Sequence, residues 1–315
     1  MSIKVSVCIP VYGVEKYIEK CARSLFEQTM QDGIEFIFVN DCTKDRSIEI
    51  LEQVLAEYPH RKEQTGIIHH EKNRGLVAAR NTGLLHASGE YIIHCDSDDW
   101  VELDMYEKMY LAAKENDADM VYCDYVKEMS GDISKPRSGG SALTAMDLQN
   151  ELLNGQTLGI LCIRLYRKHI AQTDYSGFCP DHISFEEDLL RNMFMLNHTN
   201  KIVKIPQTFY HYRNNPSSIV NSKKTYIALN AWETQDIFEK HFTDPIYRKA
   251  LVHHFCWTLL YTMPFGIKPR QNFRNVLFSM LSDKYFNIKA KIRFFAACIN
   301  YPLASHIYRK MKGIS

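Results

Sequence analysis

A β-rich run, a polar loop and an amphipathic run follow one another three times within the first 86 residues, and that alternation leaves few folds open. Val5-Ser6-Val7-Cys8-Ile9 is rich in β-branched residues and is halted by Pro10, after which Val11-Tyr12-Gly13 reads as a loop. From Glu15 to Gln28, residues Tyr17, Ile18, Cys21, Leu25 and Phe26 recur at helical spacing. The pattern repeats as a strand over Glu35 to Asn40, a loop over Asp41 to Asp45, and a helix from Ser47 to about Tyr58. It repeats again as a strand over Gly66 to His70, a loop, and a helix from about Leu76 to His86. Strands follow at Tyr91 to Cys95 and Met120 to Cys123, the first bounded by the turn-forming Ser88-Gly89. Strands separated by short helices predict a mostly parallel, Rossmann-like α/β sheet, wound right-handed and covered by helices on both faces.

Such a sheet gathers the loops after its strands at one edge, where ligands of open α/β sheets bind. Tyr12, Asp41, Asn73-Arg74-Gly75 and the triplet Asp96-Ser97-Asp98 all fall just after strands. Alternation along extended chain would send Asp96 and Asp98 to one side, giving two hard oxygen donors. Acids packed that closely repel, and a divalent cation sharing phosphate oxygens relieves them. The competing role for Asp98 and Asp99 is to cap a helix over Glu102 to Asn116. No glycine-rich dinucleotide fingerprint or phosphate loop follows the first strand, which disfavours a dehydrogenase or a P-loop kinase.

Other side chains carry two readings each. Asp41 could accept from a nucleobase N–H or serve as a turn acid, and Tyr12 could stack a base or sit half-buried in its loop. Arg80 could point at a negative ligand, although solvated surface is the usual fate of an Arg. Ser184 with Glu187 fits a capping box at the start of a helix bearing Leu189, Leu190, Met193, Phe194 and Leu196. In its first turn Asp188 would be kept ionised by the helix dipole, as a general base requires. Strands are expected at Ile202 to Ile205 and Thr208 to Tyr212, with a polar loop at Asn214 to Ser218. His211 and Arg213 alternate on one side of that segment, within reach of a leaving diphosphate; a His beside aromatics is more often structural. The turn-rich stretch 127–142 reads as a loop or lid hinged at Gly139-Gly140. A helix around Met146 to Leu153, a strand around Ile160 to Tyr166 and a short helix over Arg167 to Ala171 follow it.

Apolar content of 45% and charged content of 24% are ordinary for a globular chain, so disorder is not expected. The net charge of +1 conceals an asymmetry. Gly266 to Ser315 holds ten Lys or Arg against the single acid Asp283, net +9, and residues 1–265 hold 28 basic and 36 acidic residues, net −8. From Tyr226 onward the pattern turns helical, and Tyr285 to Met311 mixes basic residues with apolar and aromatic ones. Such a segment can lie on an anionic membrane surface, present a solvated basic face, or contact another subunit. Nine scattered cysteines without Cys-x-x-Cys pairs read as small core residues in a reducing compartment. The opening residues do not suggest a signal peptide, and the sequence holds no run of 18 uncharged apolar residues, so no spanning helix is expected. A cytoplasmic location is expected, with contact at the inner face of the membrane as the tail's option.

In order and spacing, Val7-Cys8-Ile9-Pro10-Val11-Tyr12, Phe38-Val39-Asn40-Asp41, Asn73-Arg74-Gly75 through Asn81, Gly89-Glu90-Tyr91-Ile92, Asp96-Ser97-Asp98-Asp99-Trp100 and Glu187-Asp188 resemble the family 2 glycosyltransferases. The resemblance covers roughly the first 215 residues. It implies the GT-A fold, a nucleotide-diphospho-sugar donor, Mn²⁺ or Mg²⁺, and inversion at the anomeric carbon. By that resemblance Tyr12 and Asp41 hold the base, usually uracil, with Arg80 nearby; Asp96 faces the ribose or metal, Asp98 ligates the metal, and Asp99 faces the donor sugar. Asp188 is the base that deprotonates the acceptor hydroxyl, and Pro10, Asn73, Trp100, Glu187, His211 and Arg213 complete the substrate-binding set. Residues 1–218 would form the catalytic domain and 219–315 a helical region. Cys42-Thr43 departs mildly from the family's second motif, and the Gln-x-x-Arg-Trp signature of processive synthases is absent. One sugar per encounter is therefore expected, passed to a glycan or lipid-linked glycan, in surface-polysaccharide synthesis by analogy; no nucleic-acid partner is implied. The alternatives are a nucleotidyltransferase, which should show a glycine-rich basic loop after the first strand, a polyprenyl-phosphate glycosyltransferase, and an inactive sugar-nucleotide-binding protein.

Overall fold

The computed structural model describes residues 2–129, 132–133, 136–173, 179–183, 186–215, 230–267, 281 and 286–312. Ser184, Ser217, Ser218, Tyr226, Tyr285 and part of 127–142 lie outside them, so the capping box cannot be read there.

The first half follows the alternating pattern. β1 (Val5–Val11) leads to α1 (Ile18–Phe26), β2 (Ile34–Asn40) to α2 (Ser47–Glu57), β3 (Thr65–His69) to α3 (Leu76–His86), and then comes β4 (Tyr91–His94). β5 (Trp100–Val101), α4 (Met105–Glu115), β6 (Met120–Met129), β7 (Asp132–Ile133), α5 (Ala145–Leu153), β8 (Arg164–Arg167), α6 (Lys168–Thr173), α7 (Glu187–Asn197) and β9 (Ile202–Arg213) follow. The last helices are α8 (Ala231–His241), α9 (Arg248–Thr262), α10 (Ile288–Ile299) and α11 (Tyr301–Lys312).

The described strands form one sheet in the order β3-β2-β1-β4-β8-β6-β9-β5, with β7 beside β6. β3, β2, β1 and β4 are mutually parallel, and β6 runs parallel to β9. β8, β5 and β7 pair antiparallel, so the sheet is mixed. Because the chain moves outward from β1 through β2 to β3 and then returns to β4 on the other side, the carboxyl ends of β1 and β4 mark a topological switch point.

Strand alternation sorts the core into two layers. Val5, Val7, Ile9 and Val11 of β1, with Tyr91 and Ile93 of β4, pack on one face with α1, α2 and α4. Cys8, Ile37, Val39 and Ile92 face the other way, toward α3, α5, α6 and α7, and Phe238 and Phe242 of the α8 region join that layer. A third cluster, Trp232, Phe255, Leu259, Phe294 and Tyr301, knits α8 to α11 together. None of the nine cysteines is in a disulfide and eight are buried, the use expected of small core residues. No described helix is long and apolar enough to cross a membrane.

Several local expectations need correction. β6 continues to Met129, because Tyr125 to Glu128 pair with β9 beyond a register shift at Asp124; its alternating polar residues had resembled a loop. The two strands expected over 202–212 are one, β9, running through Pro206. The Ile160 to Tyr166 run starts as a 3₁₀ turn, Leu161–Ile163, and becomes strand only at Arg164. The expected hinge glycine is pinned: Gly139 is buried, its N–H donates to Asp124 Oδ1 at 2.9 Å, and a Cβ there would meet the Cys123 carbonyl oxygen at 2.1 Å.

Candidate active site

The carboxyl ends of β1, β2 and β4 deliver three of the expected loops to one edge. Val11 pairs with Asn40 in register, and the Asp41 N–H donates to the Val11 carbonyl at 3.1 Å, so Tyr12 and Asp41 emerge side by side. The Tyr12 ring is 53% exposed and free to stack. Asp41 is buried and faces inward: it accepts the Arg74 and Gly75 N–H groups at 2.8 Å each, and His70 Nδ1 lies 2.7 Å away. Its carboxylate therefore shapes the loop before α3, a task that the reading as a base contact did not include. Gly75 enters that helix at φ +89°, a conformation costly for any side chain, which explains the glycine. Asn73 is exposed in the same loop.

β4 ends at His94, and Asp96 to Asp99 form a tight turn closed by the Asp99 N–H on the Asp96 carbonyl at 3.1 Å. The expected extended alternation is thus corrected: a turn, not a strand, brings Asp96 and Asp98 within reach of each other's charge. The turn is anchored by the Ser97 hydroxyl on the Pro10 carbonyl at 2.6 Å, the part Pro10 plays here. Asp98 Oδ2 accepts from Asn215 Nδ2 at 2.8 Å, and burial, reinforced by the Asp96 charge, raises its pKa.

Asp99 is 2% exposed, and it accepts the Tyr210 hydroxyl and, at 2.7 Å, the Arg213 N–H. Burial and then the Asp98 charge push its pKa well up. It stitches the turn to β9. Neither Asp98 nor Asp99 caps a helix, since α4 starts only at Met105 behind Asp104.

Arg80 is buried, not solvated. Its Nη2 donates to Asp96 Oδ1 at 2.7 Å and its Nη1 to Glu187 Oε1. Burial alone would lower its pKa, but the surrounding negative groups, Asp96 foremost and Asp188 among them, together raise it. Glu187, 6% exposed, also pairs with Arg191 Nε at 3.2 Å, and Arg191 Nη2 donates to Asn81 Oδ1 at 2.5 Å. A ring of α3 and α7 side chains, Glu187 among them, therefore fixes the two helices together. Sequence reading missed Arg191, although its i, i+4 spacing from Glu187 was a visible signal.

Asp188 lies in the first turn of α7, half-buried, with the Leu189 N–H on its Oδ1 at 2.8 Å. Burial raises its pKa to about 6, against the attraction of Arg80, and the Asp96 charge adds to the rise. The Leu189 N–H at the helix start does favour the ionised form, but desolvation outweighs it, so the carboxyl titrates above the ordinary range while staying ionised at neutral pH. The helix starts after Glu186, which adopts φ +53° and accepts from His254 Nε2 at 2.9 Å. Strain at a non-glycine residue next to the candidate base is typical of functional sites. Asp188, Asp96 and Asp98 are bound into one electrostatic neighbourhood, since all three raise the pKa of Tyr212 along with Asp99, after burial.

His211 is buried; it stacks on Trp100 with ring centroids 3.4 Å apart, and its Nε2 lies 2.7 Å from Glu102 Oε1. Trp100 donates from Nε1 to Glu128 Oε1 at 2.8 Å, and Lys20 Nζ sits 3.8 Å above its ring. Arg213, beside Glu128 and over the Tyr17 ring, is close enough to Asp98 to lower its pKa. Asn215, Tyr210, Tyr17 and Glu128 were not foreseen; each reaches the site across long sequence separations that leave no local pattern.

Among the described residues no three acids, histidines or cysteines form a metal cage. Asp96 and Asp98 nevertheless suit a hard cation that keeps waters and takes substrate oxygens, as Mg²⁺ does, because the turn holds the two carboxyl groups within reach of each other's charge.

The profile of glycosyl transferase family 2 matches residues 6–175. The chain is 34% identical over 221 residues to the uncharacterized glycosyltransferase EpsJ of Bacillus subtilis (strain 168), covering 68% of this chain and 62% of that protein. It is 36% identical over 246 residues to the putative glycosyltransferase EpsH of the same organism, covering 74% of this chain and 68% of that one. Among solved structures, S. aureus TarS 1–349 in complex with UDP-GlcNAc superposes with TM-score 0.69 at 19% identity, over 98% of this chain and 92% of that one. The mannosyltransferase PcManGT from Pyrobaculum calidifontis, in complex with GDP-Man and Mn²⁺, gives TM-score 0.55 at 16% identity over 98% and 87%. The architecture is GT-A with a helical C-terminal region. On the profile match over more than half its length and on these relatives, the chain belongs to glycosyl transferase family 2.

Proposed function

We propose that this glycosyltransferase moves one sugar from a nucleotide-diphospho-sugar, a UDP-sugar, to a hydroxyl of a glycan or lipid-linked glycan, with inversion, in surface-polysaccharide synthesis. The observation that carries the reading is the shared neighbourhood of Asp96, Asp98 and Asp188, three carboxylates from two distant parts of the chain that all act on the Tyr212 hydroxyl, with the Arg80 charge felt by Asp96 and Asp188. The UDP-GlcNAc complex of TarS supports a uridine donor, and the Mn²⁺ of PcManGT supports a divalent cation.

In this reading the exposed Tyr12 ring stacks the base, while Asp41 orders the loop beside it. Asp98 with Asp96 would hold Mn²⁺ or Mg²⁺, which when bound takes up charge on the departing diphosphate. Arg80 orients Asp96 through its 2.7 Å ion pair, and Arg213 adds positive charge beside Asp98. Asp188 takes the proton of the acceptor hydroxyl as that oxygen attacks the anomeric carbon from the face opposite the diphosphate. The bond to the diphosphate oxygen breaks as the new one forms, so the configuration inverts. A carboxylate whose pKa lies near 6 is a stronger base than an ordinary surface Asp and still ionised at neutral pH. Residues 1–218 carry donor and base, and the region after them serves acceptor choice.

The test is donor hydrolysis and transfer across UDP-, GDP- and dTDP-sugars with Mn²⁺, for the wild type, Asp98→Ala and Asp188→Asn. Asp98→Ala should abolish metal-dependent hydrolysis, whereas Asp188→Asn should keep donor binding and lose transfer. Normal transfer by the Asp188 variant would remove the base assignment.

A further inference from the structure

α10 is apolar on both sides. Phe294, Ala297 and Cys298 are buried in the C-terminal cluster, while Ile288, Ile292, Phe295 and Ile299 are exposed by 70%, 61%, 48% and 66%. The spacing of those four, i, i+4, i+7 and i+11, confines them to one narrow stripe on the side away from the core. α11 likewise exposes Leu303 and Ile307, by 55% and 51%, while Tyr301, Ser305 and Tyr308 are buried. A helix with apolar residues all round is ordinarily covered on every side.

We infer that the outer face of α10 and α11 is a docking surface for an anionic lipid bilayer. Charge selects this occupant. Lys289 and Lys291 flank the stripe, Arg293 stands further round α10, and Arg309, Lys310 and Lys312 lie on α11. No Asp or Glu occurs from Lys284 to Ser315. A second copy meeting this face with its own would oppose like charges, whereas an interface rich in anionic headgroups takes the apolar stripe and the basic flanks together. No described helix can span a bilayer, so the face lies on the membrane without crossing it. The inference deepens the proposed reading by bringing the enzyme to the surface where a lipid-linked acceptor resides. It is tested without catalysis, so the two can fail separately.

The test is co-sedimentation of the full chain with vesicles of phosphatidylcholine, with and without phosphatidylglycerol, at low and high salt. The wild type should partition to the anionic vesicles and leave them as salt rises. The triple variant I292S/F295S/I299S, altered only at exposed positions, should keep its circular dichroism and donor hydrolysis while losing roughly tenfold or more in partition. K289E/K291E should lose binding to the anionic vesicles. The inference is overturned by absence of binding to either vesicle, by equal binding to both, or by light scattering that shows a wild-type oligomer which the triple variant dissolves.

Discussion

Arg80 and Asp96 form an ion pair of 2.7 Å at the base of the site, with the guanidinium 4% exposed and the carboxylate 28%. The same guanidinium holds Glu187, so one side chain of α3 links the turn after β4 to the start of the helix that carries Asp188. The arrangement makes Arg80 a strut for two acids with different tasks.

Removing that strut should be costly. Arg80→Ala leaves Glu187 buried with Arg191 as its remaining ionic partner, and breaking a buried pair costs about 3–5 kcal/mol. Denaturant unfolding should show a loss at the lower end of that range, since Asp96 keeps some access to water. Arg80→Lys should recover part of it, because a single ammonium cannot serve both acids in the fork geometry of Arg. Equal stability of the Ala variant and the wild type would mean that the network carries little of the fold.

The pKa of Asp188 sets two pH dependences of definite sign. Transfer should rise with pH along a limb centred near 6 in kcat/KM, as the base loses its proton, and Asp188→Asn should remove that limb along with roughly 10²–10⁴ of the rate. For stability, a folded pKa above the unfolded one means that the contribution is present below about 4, the unfolded value, and is lost as pH rises through 6. Asp188→Asn should therefore be more stable than wild type above pH 6, by about 1–2 kcal/mol once the water reaching a half-buried side chain is allowed for. A flat pH profile of the stability difference would exclude the raised pKa.

Asn215 should act through Asp98. Its amide donates to Asp98 Oδ2 at 2.8 Å and its carbonyl oxygen accepts from the Tyr17 hydroxyl at 3.3 Å, so it orients the carboxylate expected to meet the cation. Partners of this kind are worth about 10–100-fold in metal affinity. Asn215→Leu should raise the Mn²⁺ concentration for half-maximal donor hydrolysis by about that factor, while saturating metal restores much of the rate. Loss of rate without a change in metal requirement would assign Asn215 to the fold alone.

How much of this was legible in the sequence follows from the range of the interactions. The helix over Leu76 to His86 was readable to its ends, and the strand cores of β1, β2 and β4 were readable from their β-branched runs, because local pattern alone decides them. The site's edge was legible too, since each loop follows its strand. What escaped were the pairings across the fold. Arg80 reads as an ordinary helix surface residue until α7 covers it, and Asp99 reads like Asp98 until Tyr210, 111 residues away, claims one of its oxygens. Desolvation of Asp188 could not be read either, for a helix N-terminus argues the opposite direction until burial is known.

Gly139 gives the last prediction and separates a hinge from a tight contact. In a hinged lid, replacing Gly139 by Ala would chiefly slow opening and leave stability nearly unchanged. Here a Cβ would meet the Cys123 carbonyl oxygen at 2.1 Å and the Ile163 side chain at 2.9 Å, and the first of these is strand backbone that cannot swing aside. Overpacking of this kind costs about 1–3 kcal/mol, and the Gly139 N–H bond to Asp124 would be strained with it. Gly139→Ala should lower the thermal unfolding midpoint by several degrees, about what 1–3 kcal/mol implies for a chain of this size, with KM for the donor little changed. If unfolding is unaltered and turnover alone falls, the segment moves during catalysis and its packing against β6 is only one of its states.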